Sequence, residues 1–205
     1  MRIDVVKDRP ELYRPSSTDF VEIEVPPLRY LCIDGEGDPN TSPAYAAALQ
    51  PLYSLTYAVT IPLKRATGTH VVVPPLEGLW HADDPNAFVT RRKGDWRWTM
   101  MLHLPEVITE DLIADARQRV QGKHPDLPLE RVEARTLTEG RCLQILHIGS
   151  YDAETPTLHR LHHELMPQRG LTWNGLHHEI YLSDPRRTAS ERLRTILRQP
   201  VRPVS

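Results

Sequence analysis

The chain has 205 residues, 40% of them hydrophobic, with 25 Lys plus Arg against 27 Asp plus Glu and a formal charge of −2. That is ample apolar content for a buried core in one large or two small domains, and the near-neutral balance gives no field that would draw the chain to nucleic acid or an anionic membrane. The first ten residues lack the apolar run of a signal peptide, and no later run approaches the ~20 residues that span a bilayer, so a cytoplasmic protein without a membrane partner is expected.

Residues 1–19 are charged, contain prolines and are too short for a helix-turn-helix; they are expected to lie on the domain as an arm. From Phe20 the pattern alternates, Val21, Ile23 and Val25 against Glu22 and Glu24, and it resumes after Pro26-Pro27 through Arg29 to Ile33, a strand interrupted at the prolines. A turn at Gly35–Asn40 precedes Ser42-Pro43, an N-cap with Pro at the first helical position. Tyr45, Leu49, Leu52, Thr56, Val59 and Leu63 then recur at spacings of three and four, which predicts a long amphipathic helix, kinked or broken near Pro51.

Val71-Val72-Val73 leads into Pro74 to Trp80, a strand that holds Glu77, and Asp83-Asp84-Pro85-Asn86 turns the chain. Arg91-Arg92-Lys93 reads as a solvated hairpin end, and Trp96 to Leu104 as a strand closed by Pro105 with Trp96 and Trp98 on one face. Thr109 caps a helix that opens with Glu110 and Asp111 and stops at Gly122, and a linker follows to Leu129. Cys32 and Cys142 each fall in a strand-like segment, which fits reduced buried thiols better than a disulfide or a thiolate metal site.

Past the linker the order of features repeats. The strand Leu143–Ile148 reaches Gly149, Asp152 and Thr155-Pro156, as the first reaches Gly35, Asp38 and Ser42-Pro43. A helix with Leu158, Leu161, Leu165 and Met166 on one stripe ends at Gly170; a strand holding Glu179 follows, and Thr195–Pro200 answers Met100–Pro105. The expected fold is α+β, two strand-helix-strand-strand units with an antiparallel sheet: a single domain over 1–205 with an arm (1–19), a first repeat (20–105), a linker helix (106–129) and a second repeat (130–205). Helices would cover one face, and the other face would form a groove.

The stretch from His177 to Arg187 carries the clearest sign of function. Alternation puts His177, Glu179 and Tyr181 on one face and His178, Ile180 and Leu182 on the other, so Glu179 is either a charge that keeps a strand edge soluble or part of a site. Glu77 is its expected counterpart across the repeat. Two carboxylates in a groove with Trp80, Trp96, Trp98, Tyr181 and Tyr57 would suit flat or cationic molecules through stacking and cation–π attraction, with desolvation raising a Glu toward acid or base use. Metal binding by His159, His162, His163 and His177-His178 is disfavoured, since the helix lacks the Glu of a zinc-protease motif; neither metal nor cofactor is called for.

The motifs Ile33-Asp34-Gly35-Glu36-Gly37-Asp38-Pro39, Pro75-Leu76-Glu77-Gly78-Leu79-Trp80, Trp96-Arg97-Trp98-Thr99-Met100-Met101 and His177-His178-Glu179-Ile180-Tyr181-Leu182-Ser183-Asp184-Pro185-Arg186-Arg187 give the chain a resemblance to GyrI-like small-molecule-binding domains over nearly its full length. The resemblance implies the duplicated fold found in effector domains of multidrug-responsive transcription regulators, with the acidic residue at Glu179 meeting the ligand and no DNA-binding module attached. It also implies similarity to a standalone branch that hydrolyses the cyclopropane of DNA-alkylating cyclopropanoid compounds, a detoxifying activity in which Glu179 and Glu77 would assist water attack. The alternative is a binder that sequesters such ligands, or an inhibitor of another protein.

Overall fold

The computed structural model describes residues 1–83 and 92–204. The expected turn at Asp84-Pro85-Asn86 and Arg91 of the basic hairpin end lie outside the described residues. The strands of the main sheet are β2 (Val21–Val25), β3 (Leu28–Glu36), β5 (Leu76–His81), β6 (Arg97–His103), β7 (Glu133–Leu137), β8 (Gly140–Ile148), β9 (Leu171–Trp173), β10 (His177–Tyr181) and β11 (Arg194–Pro203). A separate parallel pair joins β1 (Arg2–Ile3) to β4 (His70–Val71).

Strand order is β2-β8-β11-β10-β5-β6-β3-β7, with β9 added on β11. The order is a palindrome about the β10–β5 junction, which maps β10 to β5, β11 to β6, β8 to β3 and β2 to β7. Two similar units thus meet edge to edge, as the repeat implies, with one exchange. β2 pairs with β8 and β7 pairs with β3, so each repeat lends its outer strand to the other. Pro26-Pro27 and Thr138-Glu139 are the whole of the links between strands at opposite ends of this order. In a flat sheet β2 and β3 would lie about 29 Å apart, six strand spacings, whereas a two-residue link reaches only about 11 Å. The sheet must therefore curl until its ends approach.

One face carries the helices. The long helix α3 (Pro43–Thr67) packs Leu52, Leu55, Val59 and Leu63 on Leu31, Ile33, Met100 and Leu102, and α4 (Glu110–Lys123) adds Ile113 and Ala116. Each fully buried Leu here contributes about 1.5–3 kcal/mol. α3 runs unbroken through Pro51 and Pro62, against the expected break. It closes at Gly68, whose φ of 72° suits the left-handed cap that glycine adopts without strain. Thr109 Oγ1 accepts the Leu112 amide as the expected cap, but α4 continues past Gly122 to Lys123. In the second unit the helix is composite, α5 (Thr155–His159), a π-helical stretch over Arg160–Leu165, and α6 (Met166–Gln168), and it covers Leu143, Ile145 and Leu197.

The other face is no groove. The arm, with α1 (Val5–Asp8) and α2 (Pro10–Tyr13), fills it with Val5, Leu12 and Tyr13 in one cluster that includes Val25, Leu28, Cys142 and Ile180 from both units. The arm also covers a buried ionic network. His178 Nδ1 bonds Glu139 Oε1 at 3.0 Å, Arg198 Nη1 donates to Glu139 Oε2 at 3.2 Å, and Tyr13 donates to Glu77 Oε1 at 3.1 Å. His178 Nε2 stands 3.0 Å from Glu77 Oε2, an ion-pair separation whose angle falls outside hydrogen-bond geometry. Arg198 Nη2 donates to the Leu12 carbonyl and Gln144 Nε2 to that of Glu11, which ties the arm down.

Candidate active site

Register decides which carboxylates can meet. Glu179 pairs across β10–β5 with Gly78, and Glu77 pairs with Ile180. Side chains alternate, so Glu179, Tyr181 and His177 share the helix-bearing face with Trp80, while Glu77 points to the arm face and is fully buried there. The expected Glu77–Glu179 pair is thus corrected. A twofold axis normal to the sheet keeps every residue on its own face, so the mate of Glu179 cannot be Glu77, and Gly78 qualifies. The expectation that Glu179 faces away from the helices is corrected too: it sits in the furrow between the two helical segments, because the arm occupies the opposite side.

Gly78 leaves room that its neighbours fill: a Cβ there would stand 2.6 Å from Met100 Cε, 3.0 Å from Trp80 Nε1 and 3.2 Å from the Tyr181 hydroxyl. Beside it Trp80 Nε1 donates to the Tyr181 hydroxyl at 2.8 Å, and that hydroxyl donates to Glu179 Oε2 at 2.8 Å. This relay fixes one carboxylate oxygen and leaves Oε1 turned toward His177 Nε2, 3.5 Å away. Burial, then the negative charge of Glu179, holds the Tyr181 phenol well above its usual range, so it stays a donor.

The second carboxylate of this face is Glu154, which the sequence analysis missed. It ends the 3₁₀ turn Tyr151–Glu154 just before α5, is 4% exposed, and has Oε1 buried without a partner. Burial, then repulsion from Glu179, pushes its carboxyl far above the usual range, with the Thr195 hydroxyl bonded to it pulling the other way. Aligning Asp38 with Asp152 and Ser42 with Thr155 puts Thr41 opposite Glu154; an acid replacing a neutral residue in one repeat only was the available signal.

Aromatic rings close the furrow. Tyr45, in the first turn of α3, meets the Trp98 ring edge-on at 5.2 Å, and its phenol is raised by burial and then by Glu179. Tyr151 meets Tyr181 edge-on at 5.7 Å, and burial with Glu179 pushes its phenol up to about 12. The structure brings Trp80 and Tyr181 to Glu179. Trp98, 1% exposed, is a core pillar seated over Gly35, where a Cβ would fall 2.0 Å from its ring. Trp96 packs edge-on to Trp80 at 5.6 Å under Lys93, whose ammonium reaches Asp152 at 3.5 Å rather than being free in solvent. Tyr57 is 47% exposed and stacks on Tyr53, outward from the furrow. Cavities of about 230 and 200 Å³ open elsewhere, and neither is lined by Glu179 or Glu154. Among the described residues no group of three or more His, Cys, Asp or Glu could hold a metal ion, and no helix is long and apolar enough to cross a membrane.

A curled, duplicated antiparallel sheet with a buried acid between its helices defines a ligand-binding class of α+β domain. Residues 18–202 match the GyrI-like small molecule binding domain, and the chain belongs to that family. It is similar along 98% of its length to the whole of three solved proteins from Listeria innocua. One is an uncharacterized conserved protein at 35% identity and a TM-score of 0.89; two are hydrolases, at 33% and 0.83 and at 32% and 0.86. No curated protein matches the chain.

Proposed function

We propose that this protein is a small-molecule hydrolase that adds water to an electrophilic cyclopropane, the reaction of the cyclopropanoid-detoxifying branch that the sequence resembles. The observation that carries the reading is one carboxylate oriented by the Trp80–Tyr181 relay beside a second, protonated one. Glu179 takes a proton from water while the oxygen forms a bond to a strained ring carbon. The ring C–C bond breaks, its electron pair passes into the conjugated carbonyl of the substrate, and Glu154 supplies the proton that neutralises the resulting oxyanion. The two protons balance, and Tyr181 holds Glu179 in position throughout. Such acid and base assistance typically contributes ~10²- to 10⁴-fold. Trp80, Tyr45 and Tyr151 would flank a flat substrate, and entry requires displacement of the Tyr151 turn or of the first turn of α3. The hydrolases from Listeria innocua, alike over the full chain, support hydrolysis as the class of activity. Incubation with a cyclopropanoid alkylator followed by mass spectrometry tests this: a product heavier by one water is expected, and compound returned intact but bound would leave a sequestering protein instead.

A further inference from the structure

The furrow does not end at Glu179. Two residues back on the same face is His177, with a side chain 11% exposed and neither ring nitrogen paired. His162 projects onto it from the π-helical stretch, ring centroids 6.3 Å apart and perpendicular, and stacks on Trp173 at 4.2 Å. His162 Nε2 and Gln199 Oε1 are likewise buried without a partner. Gln199 is near enough to influence His162, although no atom pair between them meets hydrogen-bond geometry. Four unmet polar atoms in one patch are costly, each worth about 1–3 kcal/mol of desolvation. Buried polar groups in folded proteins are otherwise paired almost throughout, and π-helical turns gather at functional sites.

We propose that His177, His162, Gln199 and Trp173 form a second subsite that takes a neutral, flat group carrying both a hydrogen-bond donor and an acceptor, such as a carboxamide on a heteroaromatic ring. The proposal rests on the reading of the furrow as a small-molecule site. Neutral imidazole offers one donor and one acceptor, and the amide oxygen of Gln199 accepts, so this set matches a mixed donor–acceptor edge and not an apolar one. A cation is not matched either. Burial, with His177 and His163 nearby, depresses His162 to about 3, so its ring is uncharged, and Glu179 at the inner edge is already bonded to Tyr181. Trp173, 46% exposed, extends the stack toward solvent. The substrate is then an elongated planar molecule with its strained ring at Glu179 and an amide-like group at the histidines.

The test titrates the full chain with indole-2-carboxamide, 1-methylindole and N-methylquinolinium, followed by the imidazole resonances of His162 and His177. Indole-2-carboxamide should bind roughly threefold to tenfold more tightly than the other two, the size of one or two neutral hydrogen bonds. His162→Phe, which keeps the stack on Trp173, should abolish that preference and leave 1-methylindole unchanged. Equal affinities, a preference for the cation, no binding by any probe, or an undiminished preference in His162→Phe each overturns the subsite. If the variant does not fold, the wild-type ranking and the imidazole shifts decide alone. Loss of ring hydration with the carboxamide preference intact would instead sink the hydrolase reading only.

Discussion

Adjacent residues of β10, His177 and His178, each lie beside a glutamate, and the two faces of the strand resolve that pairing in opposite ways. On the arm face His178 sits between Glu77 and Glu139, Arg198 adds the second positive charge, and Tyr13 and Gln144 meet further polar groups. Two acids and two cations balance there. On the helix face Glu179 and Glu154 stand together without a cation bonded to either, and His177 and His162 keep unpaired nitrogens. A saturated network holds a fold; an unsaturated one stores interactions for something that arrives. Burial alone would not have told them apart, since Glu77, Glu139 and Glu154 are all under 5% exposed.

The contrast is broken most directly by isosteric neutralisation on each side. Glu179→Gln should cut turnover about 10²- to 10⁴-fold with an unchanged melting temperature, whereas Glu77→Gln should leave turnover per folded molecule intact and cost about 1–3 kcal/mol of stability. Turnover unchanged in the first variant would reduce Glu179 to a structural charge. Next in size, Arg198→Met strands Glu139 beside a single cation and should cost about 3–5 kcal/mol in urea denaturation. A loss below ~1 kcal/mol would mean that the network is ornamental to stability.

A pH series sharpens the comparison. Burial disfavours charged His178, but Glu139 and Glu77 outweigh it and raise the imidazole to about 9, so its contribution is complete below the unfolded value near 6.5 and is lost as pH climbs through about 9. Glu139, where His178 and Arg198 outweigh burial, falls to about 2; its contribution is present above about 4.5 and is lost as pH drops toward 2. Glu154, raised to about 10, adds to the alkaline loss, because a proton it keeps in the folded state is given up by the unfolded chain above about 4.5. Melting curves should therefore decline on the alkaline side, and Glu154→Gln, permanently neutral, should melt higher than wild type at pH above ~8 while losing turnover. The smallest effect expected is that of Gly78→Ala. Met100 can yield to the new methyl, so about 1–2 kcal/mol is lost and the Trp80 indole N–H resonance moves as the relay shifts.

The duplicated strand-helix-strand-strand order was legible because turns, caps and closing prolines recur, and the Glu179–Tyr181 face followed from alternation. What failed did so for identifiable reasons. Matching Glu77 to Glu179 was an alignment one residue off, and on a strand one residue reverses the face. The arm carries no periodic pattern, so its burial against the sheet was invisible, and with it which face remained for a ligand. Pro51 suggested a break, but the buried face of α3 holds the helix together across it. His162 was noticed on the apolar stripe of its helix, yet only coordinates show the π-helical turn that aims it at His177.

The bond from Arg198 to the Leu12 carbonyl joins positions 186 residues apart, and Gln144 reaches Glu11 across 133. On a ribosome the arm emerges first, yet its anchor on β11 emerges nearly last. Until then Leu12 and Tyr13 have no place to go, and the curled sheet lacks its central strands. Contacts of such long range make for slow folding, since the loop must close before the contacts return any stability. Folding of this chain is thus a late, concerted event that waits for the second repeat, and a nascent first repeat exposes the apolar surface that chaperones recognise.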